Sequence, residues 1–338
     1  MKIQHTFIFI FISFQTLFGQ EEKASHHHSS KPSYHAPIGV MGDHTHDKRE
    51  WMFSYRFMYM NMENLKNGSN DTSFSTALNN YMVSPTKMPM YGHMFGLMYA
   101  PSNKLTLSLM FKYVTNEMDH ITRMGRNFTT ESSGFGDVKI TGLYRLIHNN
   151  KSKLHTELGI VLPTGSISSK ATTPASTPNK MILPYPMQIG SGTWDLALGM
   201  TYLYEFTNLT VGAQGRSLIR TGTNENKYRL GNKYELTVWS SFDISSWLSV
   251  SARLEGISIS KIKGANPTLT PQMVTTADTK NTGGEYFNSG IGLNILFPEQ
   301  IMKGLRMGLE FKHPLYQNLN GLQLKTKESF TIGIQYSI

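Results

Sequence analysis

The chain has 338 residues, 39 % of them hydrophobic and only 16 % charged, with a formal charge of +9. Its mean hydropathy of −0.30 excludes a bundle of membrane-spanning helices, and 18 Phe, 16 Tyr and 4 Trp exclude intrinsic disorder. There is no cysteine, which excludes a disulfide scaffold, a thiolate metal site and a Cys nucleophile.

Residues 1–20 read as a secretory signal. Lys2 supplies the positive start, residues 7–14 a short apolar run, and Gly19 a small residue near the expected cut. The sequence then turns polar through Glu21, Glu22, Lys23 and the tract His26, His27 and His28. Residues 21–48 are expected to be a His-rich tail in the periplasm. It carries His35 and the run Asp43-His44-Thr45-His46-Asp47.

From Trp51 onward the dominant period is two. Trp51, Phe53, Tyr55, Phe57 and Tyr59 share one face, while Met52, Ser54, Arg56, Met58 and Met60 share the other. The alternation recurs in Leu107, Leu109 and Phe111 against Ser108, Met110 and Lys112. It recurs again in Ile140 and Tyr144 against Lys139 and Arg145, in Leu158 and Ile160 against Glu157, and in Val250 and Leu254 against Arg253 and Glu255. A dry sandwich core tolerates such charges poorly, whereas a barrel in a membrane is apolar outside and polar inside. Twelve strands are expected, near 50–61, 91–100, 105–114, 137–146, 153–163, 192–204, 209–218, 229–242, 247–259, 288–297, 305–312 and 326–338.

Short links at 101–104, 147–152, 205–208, 243–246 and 298–304 alternate with long ones at 62–90, 115–136, 164–191, 219–228, 260–287 and 313–325. That rhythm predicts an all-β, antiparallel, up-and-down transmembrane β-barrel over residues 49–338, with short periplasmic turns and long extracellular loops. Lipid cannot satisfy backbone N–H and C=O groups, so the sheet has to close. The last strand alternates through Phe330, Ile332, Ile334, Tyr336 and Ile338 and is expected to meet the barrel-assembly machinery.

The candidate lumen residues are Met52, Arg56, Met58, Met60, Met94, Met98, Lys112, Lys139, Arg145, Glu157, Arg253 and Glu255. Thioethers favour a soft ion such as copper, although methionine also serves as an adaptable apolar filler. Imidazole and carboxylate at Asp43, His44, His46 and Asp47 form a second candidate metal set, and Met118, Asp119 and His120 a third. Basic residues in or beside the long links (Arg123, Arg126, Arg220, Lys227, Arg229, Lys261, Lys263 and Lys280) suit lipopolysaccharide or acidic solutes. They are too scattered for nucleic acid. No GxSxG, HExxH or P-loop is present, so no enzyme is expected. Gly134-Phe135-Gly136-Asp137 precedes a strand rather than a helix, which excludes a dinucleotide fingerprint.

Several stretches carry a family resemblance: PIGVMGDHTHDKREWMFSYRFMYMNME (37–63), HMFGLMYAPSNKLTLSLMF (93–111), MDHITRMG with FTTESSGFGDVKITGLY (118–144), GIVLPTGSI (159–167), PMQIGSGTWDLALG (186–199) and HPLYQNLNGLQL (313–324). Together they resemble a bacterial outer-membrane family named for a MetA pathway of phenol degradation. The resemblance implies an outer-membrane barrel that passes small, largely hydrophobic or aromatic compounds, and it brings no catalytic residues. The leading expectation is therefore a passive outer-membrane channel with no resident cofactor. The alternatives are copper or other soft-metal binding or transport through Met and His, and a structural or adhesive surface barrel.

Overall fold

The computed structural model describes residues 31–338. The signal segment and His26, His27 and His28 lie outside the described residues. Eleven continuous strands form the wall: β1 (Trp51–Gly68), β2 (Val83–Ser102), β3 (Leu105–Thr122), β4 (Val138–His148), β5 (Ser152–Leu162), β6 (Asp195–Glu205), β7 (Leu209–Arg220), β8 (Lys233–Asp243), β9 (Leu248–Ile259), β10 (Gly284–Leu296) and β11 (Leu305–Ser337). Each pairs antiparallel with its neighbours in sequence order, and β11 also pairs with β1, which closes the sheet. A closed sheet leaves no edge, and that is what lipid demands of a β chain.

β11 is 33 residues long. Fully extended it would span about 110 Å, several times a bilayer's hydrocarbon core of about 30 Å. It makes two crossings instead, pairing with β10 along residues 306–319 and with β1 along 319–337. The chain reverses at Gly321, whose φ of +75° suits glycine. Eleven continuous strands thus give twelve crossings, the even number that antiparallel closure requires. The long link expected at 313–325 is corrected accordingly: those residues continue the ladder to a tight tip. Pro314 has no N–H to give, and the register shifts beside it, between Phe287 and Asn288.

The two faces separate as the period predicts. On β1, Trp51 and Phe53 are 41 and 49 % exposed, whereas Met52 and Arg56 are 3 and 5 %. On β8, Leu236, Val238 and Phe242 face outward, and Thr237, Trp239 and Ser241 are buried inside.

Most of the remaining long connections carry structure of their own. β1, β2 and β3 run beyond the expected ends, and the strand Asn127–Phe135 folds back along β3. A short helix, Phe74–Leu78, is capped by Ser73, whose Oγ accepts the Thr76 N–H at 3.2 Å. Small hairpins pair Lys170–Thr172 with Lys180–Ile182 and Tyr228–Arg229 with Lys263–Gly264. Leu183 and Met187, from the β5–β6 connection, pack on the inward-facing Met88 and Met118. These connections fold over the long-loop mouth.

The N-terminal segment, expected as a His-rich periplasmic tail, enters the barrel: its described residues, from Lys31 to Lys48, lie inside the ring at the short-turn end. Lys48 N–H donates to Asn103 in the β2–β3 turn at 2.8 Å, and Ser33 donates to Asp243 at the end of β8 at 2.7 Å.

Candidate functional site: the bore and its N-terminal plug

A loop inside a barrel has lost water, so its backbone groups need partners from the wall. Inward-facing polar side chains supply them. Arg56 Nε donates to the Ile38 carbonyl at 3.0 Å and Arg306 to that of Ala36 at 2.5 Å. Gln214 donates to Met41 at 3.0 Å, His155 to Gly42 at 2.9 Å, and Asn294 to His35 at 3.2 Å. Arg145 holds Thr45 Oγ1 at 3.0 Å, the His46 carbonyl at 3.1 Å and Asp47 at 2.9 Å. The apolar side chains of the loop are matched too: Ala36 and Val40 cluster with Leu203 and Trp239 of the wall. Ile38 lies over Gly308 and Gly333, where a Cβ would stand 2.7 and 2.9 Å from it.

Asp43 is the buried anion of this plug. Burial alone would raise its pKa, but the His44 imidazole at 3.0 Å and the Arg306 guanidinium hold its carboxyl well below the usual carboxylate range. Burial pushes His35 well below the ordinary histidine value, and His46 below it as well. Both rings are therefore neutral near pH 7.

Beside and beyond the plug the wall carries ion pairs, and the Gly39 N–H of the plug itself donates to Glu310 at 3.4 Å. Glu157 accepts Lys139 and, at 3.1 Å, Arg216. Arg220 pairs with Asp195, and Lys233 with Glu235 at 2.7 Å. Arg253 meets Glu310 at 2.5 Å and Glu255 at 3.4 Å, and Lys312 meets Glu255 at 2.8 Å. A cavity of about 260 Å³ opens among Met94, Lys112, Lys139, Arg216, Arg220 and Lys233. Asp137 also borders it, but its carboxylate is occupied by the Gly165 and Ser191 N–H groups at 3.0 and 2.9 Å. Lys112 makes no ion pair or side-chain hydrogen bond among the described residues, so it is the surplus cation of the cavity. Met110, Val161, Ala197 and Leu218 give the same cavity apolar ground.

A second cavity of about 120 Å³ lies under the long connections, between Phe128, Met181, Leu183, Leu269, Met273 and Val274. Its lining is mainly apolar, with threonines such as Thr122, Thr130 and Thr173 among the hydrophobic side chains. His120 borders it, stacked on Phe128 with ring centroids 4.6 Å apart.

The register puts all twelve candidate lumen residues on the inner face: Met52 lies opposite Met98, Arg56 opposite Met94, Met94 opposite Lys112, and Arg145 opposite His155. Some of the inward methionines pack with one another and with leucines. Met52 and Met98 join Leu143, and Met88 and Met118 join Leu183 and Met187. Met118 and His120 face inward from β3, while Asp119 between them accepts the Thr129 hydroxyl at 2.6 Å, so these three do not converge. Of the N-terminal set, Asp43 and His44 are adjacent and are joined by His35, with which their donor atoms lie within 4.8 Å of one another. His46 stands beside them, its ring 4.9 Å from that of His44. Asp47 turns away to Arg145. Arg306, Gln214 and Asn294 were not legible as site residues, because their partners lie roughly 170 to 270 positions away in sequence.

A closed antiparallel ring with an apolar exterior and an ion-paired bore defines an outer-membrane β-barrel. Residues 120–326 match the model of the family described as "Putative MetA-pathway of phenol degradation", and the chain belongs to that family. The fold is similar to the COG4313 outer membrane channel from Pseudomonas putida F1, at 13 % identity and a TM-score of 0.62, over 89 % of this chain and 100 % of that one. It is also similar to the transport unit of the autotransporter AIDA-I from Escherichia coli, at 10 % identity and a TM-score of 0.50, over 89 % and 94 % of the two chains. No curated protein matches the sequence.

Proposed function

We propose that this chain is a passive outer-membrane channel for small hydrophobic or aromatic molecules, with a preference for those bearing one negative charge. The observation that carries the reading is the central cavity, where the surplus ammonium of Lys112 stands beside Met94, Met110, Val161 and Leu218. An aromatic carboxylate presents the matching pair of surfaces. The apolar cavity under the long connections would receive such a molecule first. In this reading the long connections face outside and meet lipopolysaccharide, and the short turns and the plug face the periplasm. The work done is selection by shape and charge, without bond chemistry. The protein reaches the membrane by way of its signal segment and the assembly machinery.

The test is reversal potential in planar bilayers with sodium benzoate, alongside uptake of benzyl alcohol and benzylamine into proteoliposomes. Benzoate is expected to pass faster than benzylamine, and Lys112→Glu to shift that ratio by about fivefold toward the cation. No passage of any of the three, by the native chain or by a chain with its plug displaced, contradicts the reading.

A further inference from the structure

We propose that His35, Asp43 and His44 bind a divalent first-row transition ion of the zinc type, and that the ion pins the N-terminal plug in the bore. This stands independently of which solute the channel passes.

The geometry is that of a site with its donors assembled. One ligand atom from each of the three residues falls within 4.8 Å of the others. The His35 and His44 rings meet edge to face with centroids 4.9 Å apart and planes at 86°. Asp43 is held in place from two sides, by the Ala36 N–H at 3.2 Å and by His44 Nδ1 at 3.0 Å. Tetrahedral coordination at about 2.0–2.1 Å needs donors about 3.4 Å apart, so binding would draw the two rings and the carboxylate closer together.

A second observation points to a ligand. His44 Nε2 and His46 Nε2 are buried and have no hydrogen-bond partner. Buried polar nitrogens rarely go unmet, and leaving them so is unfavourable. An ion would take up these lone pairs, with His46 as a further ligand. Glu50 Oε2 lies 3.4 Å from His46 Nδ1 and would orient that ring, as a carboxylate does behind a metal-bound histidine.

The surroundings select the kind of ion. Arg56 and Arg306 reach the carbonyls of Ile38 and Ala36 in the same loop. Among the described residues, one carboxylate, that of Asp43, belongs to the donor group. Calcium and magnesium depend on several oxygen ligands and fit badly. An ion that bonds well to neutral imidazole nitrogen fits, and zinc is the reference case. The ligands also bracket the stretch that enters the bore: His35 precedes residues 36–42, and Asp43 and His44 follow them. One ion would tie both ends of that loop together.

The test uses the full mature chain refolded in detergent, with His26, His27 and His28 replaced by Ser so that this tract adds no binding. Titration with ZnCl₂ against a chromophoric chelator is expected to give one ion per chain. His44→Ala and Asp43→Asn are expected to weaken it at least tenfold, and His46→Ala less. Gel mobility before and after heating shows that each variant is folded. As a second readout, Zn²⁺ should slow tryptic cleavage at Lys48 and Arg49 at least threefold, and not in His44→Ala. Absence of binding, equal affinity in a folded His35→Ala/His44→Ala chain, or cleavage indifferent to Zn²⁺ overturns the proposal.

Discussion

Gly308 and Gly333 are the residues on which the plug's fit depends. Both lie on β11 and face Ile38, and neither leaves room for a Cβ. A branched side chain at these points should lift Ile38 out of the bore while leaving the strand pairs intact, since valine favours extended backbone. Gly308→Val/Gly333→Val is therefore expected to raise single-channel conductance severalfold and to expose residues 31–48 to protease. Unchanged conductance and unchanged cleavage would contradict the packing described here. Glu157 is the other sensitive position, because it answers Lys139 and Arg216 together. Glu157→Gln leaves two half-buried cations short of a partner and should lower unfolding stability by about 1–3 kcal/mol, measured by urea titration in detergent. Glu157 was legible as a lumen residue from its place in an alternating strand. Its partner Arg216 was not singled out, since alternation gives the face of a residue but not its neighbour around the ring.

At the scale of elements, period two located every crossing, and the ends of the strands were the uncertain part. β1, β2 and β3 continue well past the membrane's thickness because Asn127–Phe135 and the Leu319 tip extend the ladders. Those pairings join distant segments, and local pattern does not announce them. The stretch through Pro314, Asn318 and Asn320 looks like a loop by composition, yet it holds its ladder up to Gly321. Face assignment has an energetic consequence. Leu236 is 62 % exposed on the outer face, whereas Thr237 beside it is 1 % exposed and faces the bore. An arginine on the lipid face near mid-membrane costs about 2–4 kcal/mol. Leu236→Arg should lose about that much folding free energy in lipid vesicles, and Leu236→Phe almost none. An equal response to the two substitutions would show that this face does not meet hydrocarbon.

For the whole molecule, the ring and its plug form one design. The wall supplies Arg56, Arg145, His155, Gln214, Asn294 and Arg306 to the backbone of a segment that would otherwise be unable to sit in a bore. The sequence showed the polar inner face clearly, but its complement, an apolar loop of Ala36, Ile38 and Val40 within a His-rich stretch, read as tail because nothing local marks a segment as enclosed. Everything functional rests on β8 and its fellow strands having lipid on one side and the bore on the other. The chain has no cysteine, so single cysteines placed along residues 234–242 in vesicles report on this directly. With spin labels attached, positions 236, 238 and 242 should be relaxed by dissolved oxygen and shielded from a water-soluble nickel chelate. Positions 237, 239 and 241 should be poorly reached by oxygen. Equal accessibility of the two sets, or the reverse alternation, would contradict the barrel as a membrane channel.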